Sequence, residues 1–230
     1  MYYYMMDYWY MILVLPPMLL AIWASINVNS TYKKYNKVTN RYGLTGAEAA
    51  RKILDKNGLY NVRIERVAGN LTDHFDPKTN VVRLSESVHD STSVAAVGVA
   101  AHEAGHAVQY AEEYAPMKFR GSLVPVANIG SYAGIYLAII GIIVTMPLLS
   151  YIGIGLFGMV VLFQLVTLPV EFNASHRAVA ALEQGYLSKE EMQGTKKVLR
   201  AAALTYVAAL LSSIGNLLRL IILVGGRSRD

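Results

Sequence analysis

The chain has 230 residues, of which 54% are hydrophobic and 16% charged, with a formal net charge of +5 and a mean hydropathy of +0.33. A soluble domain usually carries about 25% charged residues, so this composition favours a membrane protein. No basic low-complexity tail accounts for the net charge, which we interpret as membrane topology and not as nucleic-acid binding. The absence of cysteine excludes disulfides and thiolate metal sites, leaving His, Asp and Glu as ligands.

The first apolar segment predicts an N-terminal transmembrane helix within residues 1–29. Residues 8–28 carry no charge and are long enough to cross a bilayer. A basic cluster follows at once, formed by Lys33, Lys34, Lys37 and Arg41. The positive-inside rule therefore predicts that the N-terminus is external and that residue 30 onward is cytoplasmic.

Residues 30–120 predict a cytoplasmic α+β region. Thr45, followed three residues later by Glu48, has the capping-box arrangement of a helix start. The segments "YNVRIERV" and "VVRLS" predict two short strands, and "DHFDPKTN" between them predicts a turn. A long apolar helix then begins at Ser91 or Ser93 and carries "AAHEAGHAV".

The second half of the chain predicts further membrane helices. Residues 121–170 contain no Asp, Glu, Lys, Arg or His, which predicts a hairpin with spans near 126–147 and 151–170 and a turn in "MPLLSYIG". Residues 171–200 are polar with a helical pattern, and residues 201–230 predict a transmembrane or membrane-associated helix. The sequence thus predicts a mainly α membrane protein with a small α+β core and about four transmembrane helices.

The motif "HEAGH" predicts a zinc site. Residues four apart share one face of a helix, so the imidazoles of His102 and His106 can bind one ion. Glu103 is placed to take a proton from a water activated by that ion. This is the HExxH pattern of zinc peptidases, which predicts a hydrolase acting on peptide bonds with Glu103 as general base.

A third ligand must come from elsewhere in the chain. Gln109 and Glu112 stand where metzincins have Gly and His, and the only Asp after the motif is Asp230, which excludes the pattern of intramembrane site-2-type proteases. The downstream candidates are Glu171, His176, Glu183, Glu190 and Glu191. Glu171 opens a helical segment directly after the hairpin and would complete a His₂Glu site, with His176 as its rival.

Several segments together resemble a known family. "HEAGHAVQY", "VPVANIGS", "DHFDP" with "VVRLS", and "PVEFNAS" are similar to the YugP-type neutral zinc metallopeptidases of bacterial membranes, and the resemblance covers most of the chain. It implies a zincin-like core, one Zn²⁺ per chain and Glu171 as third ligand. The chain is more distantly similar to HtpX- and CAAX-type membrane peptidases, which carry an Asp where this chain has Ser175. That Asp would orient an imidazole, and here a backbone carbonyl or Asn173 is a candidate substitute.

The substrate is expected to be a membrane-associated protein or peptide. A bound peptide would add as a strand to a sheet edge before the metal helix, for which residues 81–85 are the candidate. The tetrahedral intermediate would be stabilised by one of four residues, which the sequence leaves open: His74, His176, Arg177 or Tyr206. Because Glu171 follows a span that returns to the cytoplasm, we expect the active site on the cytoplasmic side of a bacterial plasma membrane.

Two alternatives to a protease follow from the same residues. A non-catalytic membrane protein could hold zinc in a structural or sensing site, which usually has four protein ligands. A metal transporter would need polar residues within its spans. Apart from hydroxyl groups, the hairpin offers only Asn128 and Gln164, which is thin support for transport.

Overall fold

The computed structural model describes residues 8–227, and most of them are helical. The helices are α1 Leu15–Tyr35, α2 Gly46–Lys56, α3 Glu86–His89, α4 Val94–Ala111, α5 Ala115–Ile129, α6 Ile135–Ile143, α7 Pro147–Leu182 and α8 Lys189–Arg227. Short π-helical segments precede α1 at Tyr10–Val14 and join α5 to α6 at Gly130–Gly134. The strands are β1 Arg63–Val67, β2 His74–Asp76 and β3 Val81–Ser85.

Within residues 8–227, four helical segments are long and apolar enough to cross a membrane: Tyr10–Tyr35, Ala115–Ile143, Pro147–Leu182 and Lys189–Gly226. Their number agrees with the sequence prediction. The predicted hairpin turn is misplaced, because α6 ends at Ile143 and α7 already begins at Pro147. Proline suits the first position of a helix, where its missing N–H costs nothing, so "PLLSYIG" starts a helix instead of a turn.

The sheet has the strand order β1-β3-β2. Strand β3 pairs in parallel with β1 and antiparallel with β2. The prediction that residues 81–85 form an edge is therefore wrong. Val81, Val82 and Leu84 are all fully buried, and a strand buried on both faces is typical of a central position.

The stretch "DHFDPKTN" also differs from its prediction as a turn. Its first half is strand β2, in which buried Phe75 pairs with Val82. Only residues 77–80 form the turn that leads into β3. The edges of the sheet are therefore β1 and β2.

By internal packing the chain forms two compact units. Of the described residues, the apolar unit comprises 8–25, Phe119–Leu168 and 204–227. The sheet unit comprises Ile26–Lys118 and Pro169–Ala203. The predicted division at residues 29, 120, 170 and 200 stays a prediction.

Helix α4 is the centre of the sheet unit, and most of its residues are buried. It begins after Ser93, whose Oγ accepts a hydrogen bond from the Ala96 N–H at 3.0 Å, so Ser93 and not Ser91 is the cap. Helix α2 packs against α4, and the predicted capping box at its start is confirmed. Thr45 Oγ1 accepts from the Glu48 N–H, and the Glu48 carboxylate accepts from the Thr45 N–H.

Candidate metal centre

Three potential ligands meet between α4 and α7 within the sheet unit. His102 and His106 lie one turn apart on α4, and Glu171 projects from α7. One ligand atom from each residue can be chosen so that all three lie within 4.8 Å of one another. The Glu171 Oε2 lies 3.2 Å from His102 Nε2 and 3.6 Å from His106 Nε2. The sequence thus predicted a group of residues that the fold brings together, although Glu171 lies 65 residues after His106.

The chemistry of this group fits Zn²⁺. Two imidazole nitrogens and one carboxylate oxygen are the donors of many catalytic zinc sites, in which a fourth position stays open to water. Glu171 is 3% exposed and His106 is 7% exposed, so the carboxylate is held away from solvent. A buried carboxylate is stable only when it is paired or coordinates a metal, and here both imidazoles face it.

Each imidazole is also held through its other ring nitrogen. His102 Nδ1 lies 3.1 Å from the Ser175 hydroxyl, and His106 Nδ1 lies 2.9 Å from Gln109 Oε1. Both Nε2 atoms are thereby directed at Glu171. Asn173, a candidate for orienting an imidazole, contacts the Gln109 amide instead.

Gln109 is the site residue whose role the sequence analysis missed. Gln109 lies three residues after His106 on the same helix. In the sequence it was considered only because it stands where metzincins have Gly. The i, i+3 spacing was the available signal, because it places Gln109 beside His106 on one face.

Glu103 is buried and connects the motif to the sheet. Its Oε2 accepts a hydrogen bond from the Phe75 N–H of β2 at 3.0 Å. The Phe75 amide therefore points toward α4 and not toward β3. The outer edge of β2 and the carboxylate of Glu103 are thus neighbours.

Gly105 allows α4 and α7 to approach closely. A Cβ atom at this position would lie 2.9 Å from the backbone oxygen of Ala174, closer than real Cβ atoms come. The glycine contributes by letting the helix that carries Glu171 reach the two histidines.

The four candidates for stabilising a tetrahedral intermediate differ in their surroundings. His176 is exposed on α7 and lies outside the three-ligand group. His74 is exposed on β2, with its Nδ1 2.8 Å from the Thr72 carbonyl oxygen. Arg177 pairs with Glu112 at 2.7 Å, and Tyr206 belongs to the apolar unit.

The remaining downstream carboxylates also lie outside the group. Glu183 pairs with Lys196 at 2.6 Å. Glu191 accepts hydrogen bonds from the Arg41 and Ser188 backbone amides. Among the described residues, Glu171 is the carboxylate that stands with the two histidines.

Comparison with known proteins identifies a family that matches this chain. The family model described as "Putative neutral zinc metallopeptidase" matches residues 10–225. The chain is 48% identical over 213 residues to the "Putative membrane protease YugP" of Bacillus subtilis (strain 168), covering 92% of this chain and 95% of that protein. No solved structure matches the chain. The resemblance drawn from the sequence motifs is therefore confirmed.

Proposed function

Because the chain belongs to the neutral zinc metallopeptidase family, we propose that it is a membrane-anchored zinc metalloprotease that hydrolyses peptide bonds. The observation that carries the proposal is the convergence of His102, His106 and Glu171, with Glu103 beside them. We assign the three converging residues as ligands of one zinc ion and Glu103 as the general base.

The zinc ion, when bound, supplies a Lewis acid that makes water a competent nucleophile near neutral pH. A residue of the chain accepts the proton that this water loses. Glu103 Oε2 is held by the Phe75 N–H, which leaves Oε1 to accept a proton from the attacking water. Burial of Glu103 keeps bulk water from competing for that oxygen.

We place the substrate at the outer edge of β2. Strand β3 is paired on both sides and cannot accept another strand, whereas β2 is an edge beside Glu103. A peptide added there would be held in an extended form by main-chain hydrogen bonds, as in other cases of strand addition.

The proposed location is the cytoplasmic side of a bacterial plasma membrane, with a multi-pass topology and membrane-associated substrates. Four apolar helical segments and the name of the B. subtilis relative support membrane association. The basic residues after the first apolar segment support the cytoplasmic orientation. Glu171 follows directly on a charge-free run of sequence, which favours substrates close to the bilayer.

The number of ligands favours catalysis over a structural or sensing site. Structural zinc is usually closed by four protein ligands, whereas the group found among the described residues has three. His176, the rival that could have closed the site, is exposed and lies outside the group.

The test is the substitution Glu103→Gln in the full chain, purified in detergent and returned to vesicles. Cleavage of peptides and membrane proteins, followed by mass spectrometry, should fall by about 100-fold or more, the usual contribution of a general base. Zinc content, measured by elemental analysis, should stay at one ion per chain because Glu103 is not a ligand.

The matched control is Glu113→Gln, an exposed carboxylate just beyond α4 that pairs with Lys118. It should leave both cleavage and zinc content unchanged. Undiminished cleavage by Glu103→Gln would refute the role of Glu103 as base. A wild-type chain that binds no zinc would refute the proposed function.

A further inference from the structure

We propose that Gln109 is a positioning residue. It sets both the tautomer of His106 and the placement of the α7 turn that carries Glu171. This inference rests on the proposed function, since its consequence is the affinity of the site for zinc. Gln109 is fully buried, and both ends of its amide are engaged. Its Oε1 lies 2.9 Å from His106 Nδ1, and its Nε2 donates to the Val170 carbonyl and to Asn173 Oδ1, each at 2.9 Å.

The orientation of the Gln109 amide is fixed by its partners. A backbone carbonyl can only accept hydrogen bonds, so the atom facing Val170 must be the amide nitrogen. Asn173 gives the same answer independently, because its Oδ1 also accepts from Arg177 Nε at 2.7 Å and a guanidinium can only donate. Two acceptors therefore require that Nε2 faces α7 and that Oε1 faces His106.

The protonation pattern of His106 follows from this orientation. An amide oxygen can only accept, so His106 Nδ1 must carry the hydrogen. The neutral imidazole then has its lone pair on Nε2, the atom directed at Glu171. His106 is thus prepared to bind a metal through Nε2 before any metal arrives.

The same amide also holds the second helix. Val170 immediately precedes Glu171, and Asn173 follows two residues later. The two donated hydrogen bonds therefore tie the Glu171 turn of α7 to the ligand-bearing face of α4. A second, more exposed link joins α7 to the residue just beyond α4, through the Arg177–Glu112 ion pair.

His102 differs from His106 in this respect. Its Nδ1 contacts the Ser175 hydroxyl, which can either donate or accept. Ser175 therefore leaves both tautomers of His102 available, whereas Gln109 selects one for His106. The site is asymmetric, and we expect Gln109 to matter more than Ser175 for metal affinity.

The experiment compares two substitutions in the full chain, Gln109→Met and Gln109→Glu. Methionine has a similar size but makes neither contact. Glutamate keeps an acceptor for the Nδ1 hydrogen of His106 but cannot donate to Val170. Zinc affinity is measured by chelator competition, and the absorption spectrum of the Co²⁺-loaded protein reports ligand geometry.

Gln109→Met should weaken zinc binding by about 10-fold to 100-fold, the usual effect of losing a partner of a metal-binding histidine. It should also change the Co²⁺ spectrum. Gln109→Glu should lose less affinity than Gln109→Met, because the Nδ1 hydrogen of His106 keeps an acceptor, but its affinity should stay below wild type because the link to Val170 is lost. Both variants should lose thermal stability without metal. Gln193→Met, the same change at an exposed position of α8, is the control and should alter nothing.

Equal losses of zinc affinity in the two Gln109 variants would mean that the residue acts only as packing, and would overturn the inference. Wild-type affinity in Gln109→Met would overturn it as well. If Gln109→Met does not fold, Gln109→Glu decides alone, since the inference requires its zinc affinity to fall below that of wild type, and an unchanged affinity would overturn it. A wild-type chain that binds no zinc would instead refute the proposed function and, with it, this inference.

Discussion

The sheet unit and the apolar unit both bring helices together at glycines, but they secure the contact differently. In the sheet unit, Gly105 of α4 lies against the Ala174 carbonyl of α7, and buried polar side chains tie the same helices. In the apolar unit, Gly153 of α7 lies against the backbone of Ala138 in α6. The neighbouring polar contact there is a hydrogen bond from Ser150 Oγ to the Ala138 carbonyl at 3.2 Å.

This difference reflects what each unit has to specify. Small residues let helices in a membrane pack closely by shape alone. A metal centre needs ligand atoms fixed in direction, and shape does not determine a tautomer or the rotation of a carboxylate. The polar contacts around His106 supply that direction, and because they are buried each must be satisfied.

The largest expected effect comes from adding a methyl group at the two glycines. Gly105→Ala and Gly153→Ala should each destabilise the protein by about 1–3 kcal/mol through overpacking, partly offset by the better helix propensity of alanine, worth about 1 kcal/mol. Only Gly105→Ala should weaken zinc binding, because it moves Glu171 away from the histidines. Thermal unfolding and chelator competition measure the two quantities. Equal zinc affinities in the two variants would show that the close approach at Gly105 does not set the metal geometry.

A second, intermediate effect is the dependence of zinc binding on pH. Burial alone would lower the pKa of His106 below 6.5, but the hydrogen bond to the Glu171 carboxylate and the nearby charge of Glu103 outweigh it and raise the pKa. Protons should therefore compete with zinc above pH 6.5, and affinity should increase until the pH exceeds the raised pKa.

The metal-free protein should show the opposite trend. Protonated His106 stabilises its fold fully below pH 6.5, and this stabilisation is lost as the pH rises through the folded pKa. Chelator competition and unfolding between about pH 6 and about pH 9 test both trends. Glu171→Gln removes the largest of the interactions that raise the pKa of His106, so the pH dependence of its metal-free stability should weaken; an unchanged profile would refute the assignment.

The smallest expected effect comes from one buried hydroxyl in each unit. Thr195 Oγ1 donates to the Val94 carbonyl at 2.8 Å in the sheet unit, and Ser150 is its counterpart in the apolar unit. Thr195→Val should cost about 1 kcal/mol and Ser150→Ala about 0.6 kcal/mol of unfolding free energy. Neither should change zinc affinity, because neither side chain contacts a ligand. A loss of zinc in Thr195→Val would mean that the metal centre depends on α8 as well.

Features set by neighbours in the sequence could be predicted. The capping box at Thr45, the α4 start near Ser93 and the helical spacing of His102 and His106 depend on contacts within one turn. Glu171 could be singled out because the charge-free run before it limited the downstream candidates. The apolar segments could be predicted because their length and lack of charge suffice.

Features set by distant partners could not be predicted. Strand β2 has three residues and forms because Phe75 is buried and pairs with Val82, which no local pattern reveals. The wrong edge assignment for residues 81–85 followed from missing that strand. The role of Gln109 depends on Val170, a partner 61 residues away. Such contacts become visible only when α4 and α7 are placed side by side.

We expect one zinc ion to bind to His102, His106 and Glu171. An anomalous-difference map recorded at the zinc edge from crystals of the full chain tests it most directly. We expect one peak, bonded to the Nε2 atoms of both histidines and to a Glu171 oxygen at about 2 Å, with no fourth side chain. A Glu171 oxygen more than about 3 Å from the peak, or His176 bonded to the ion, would contradict it.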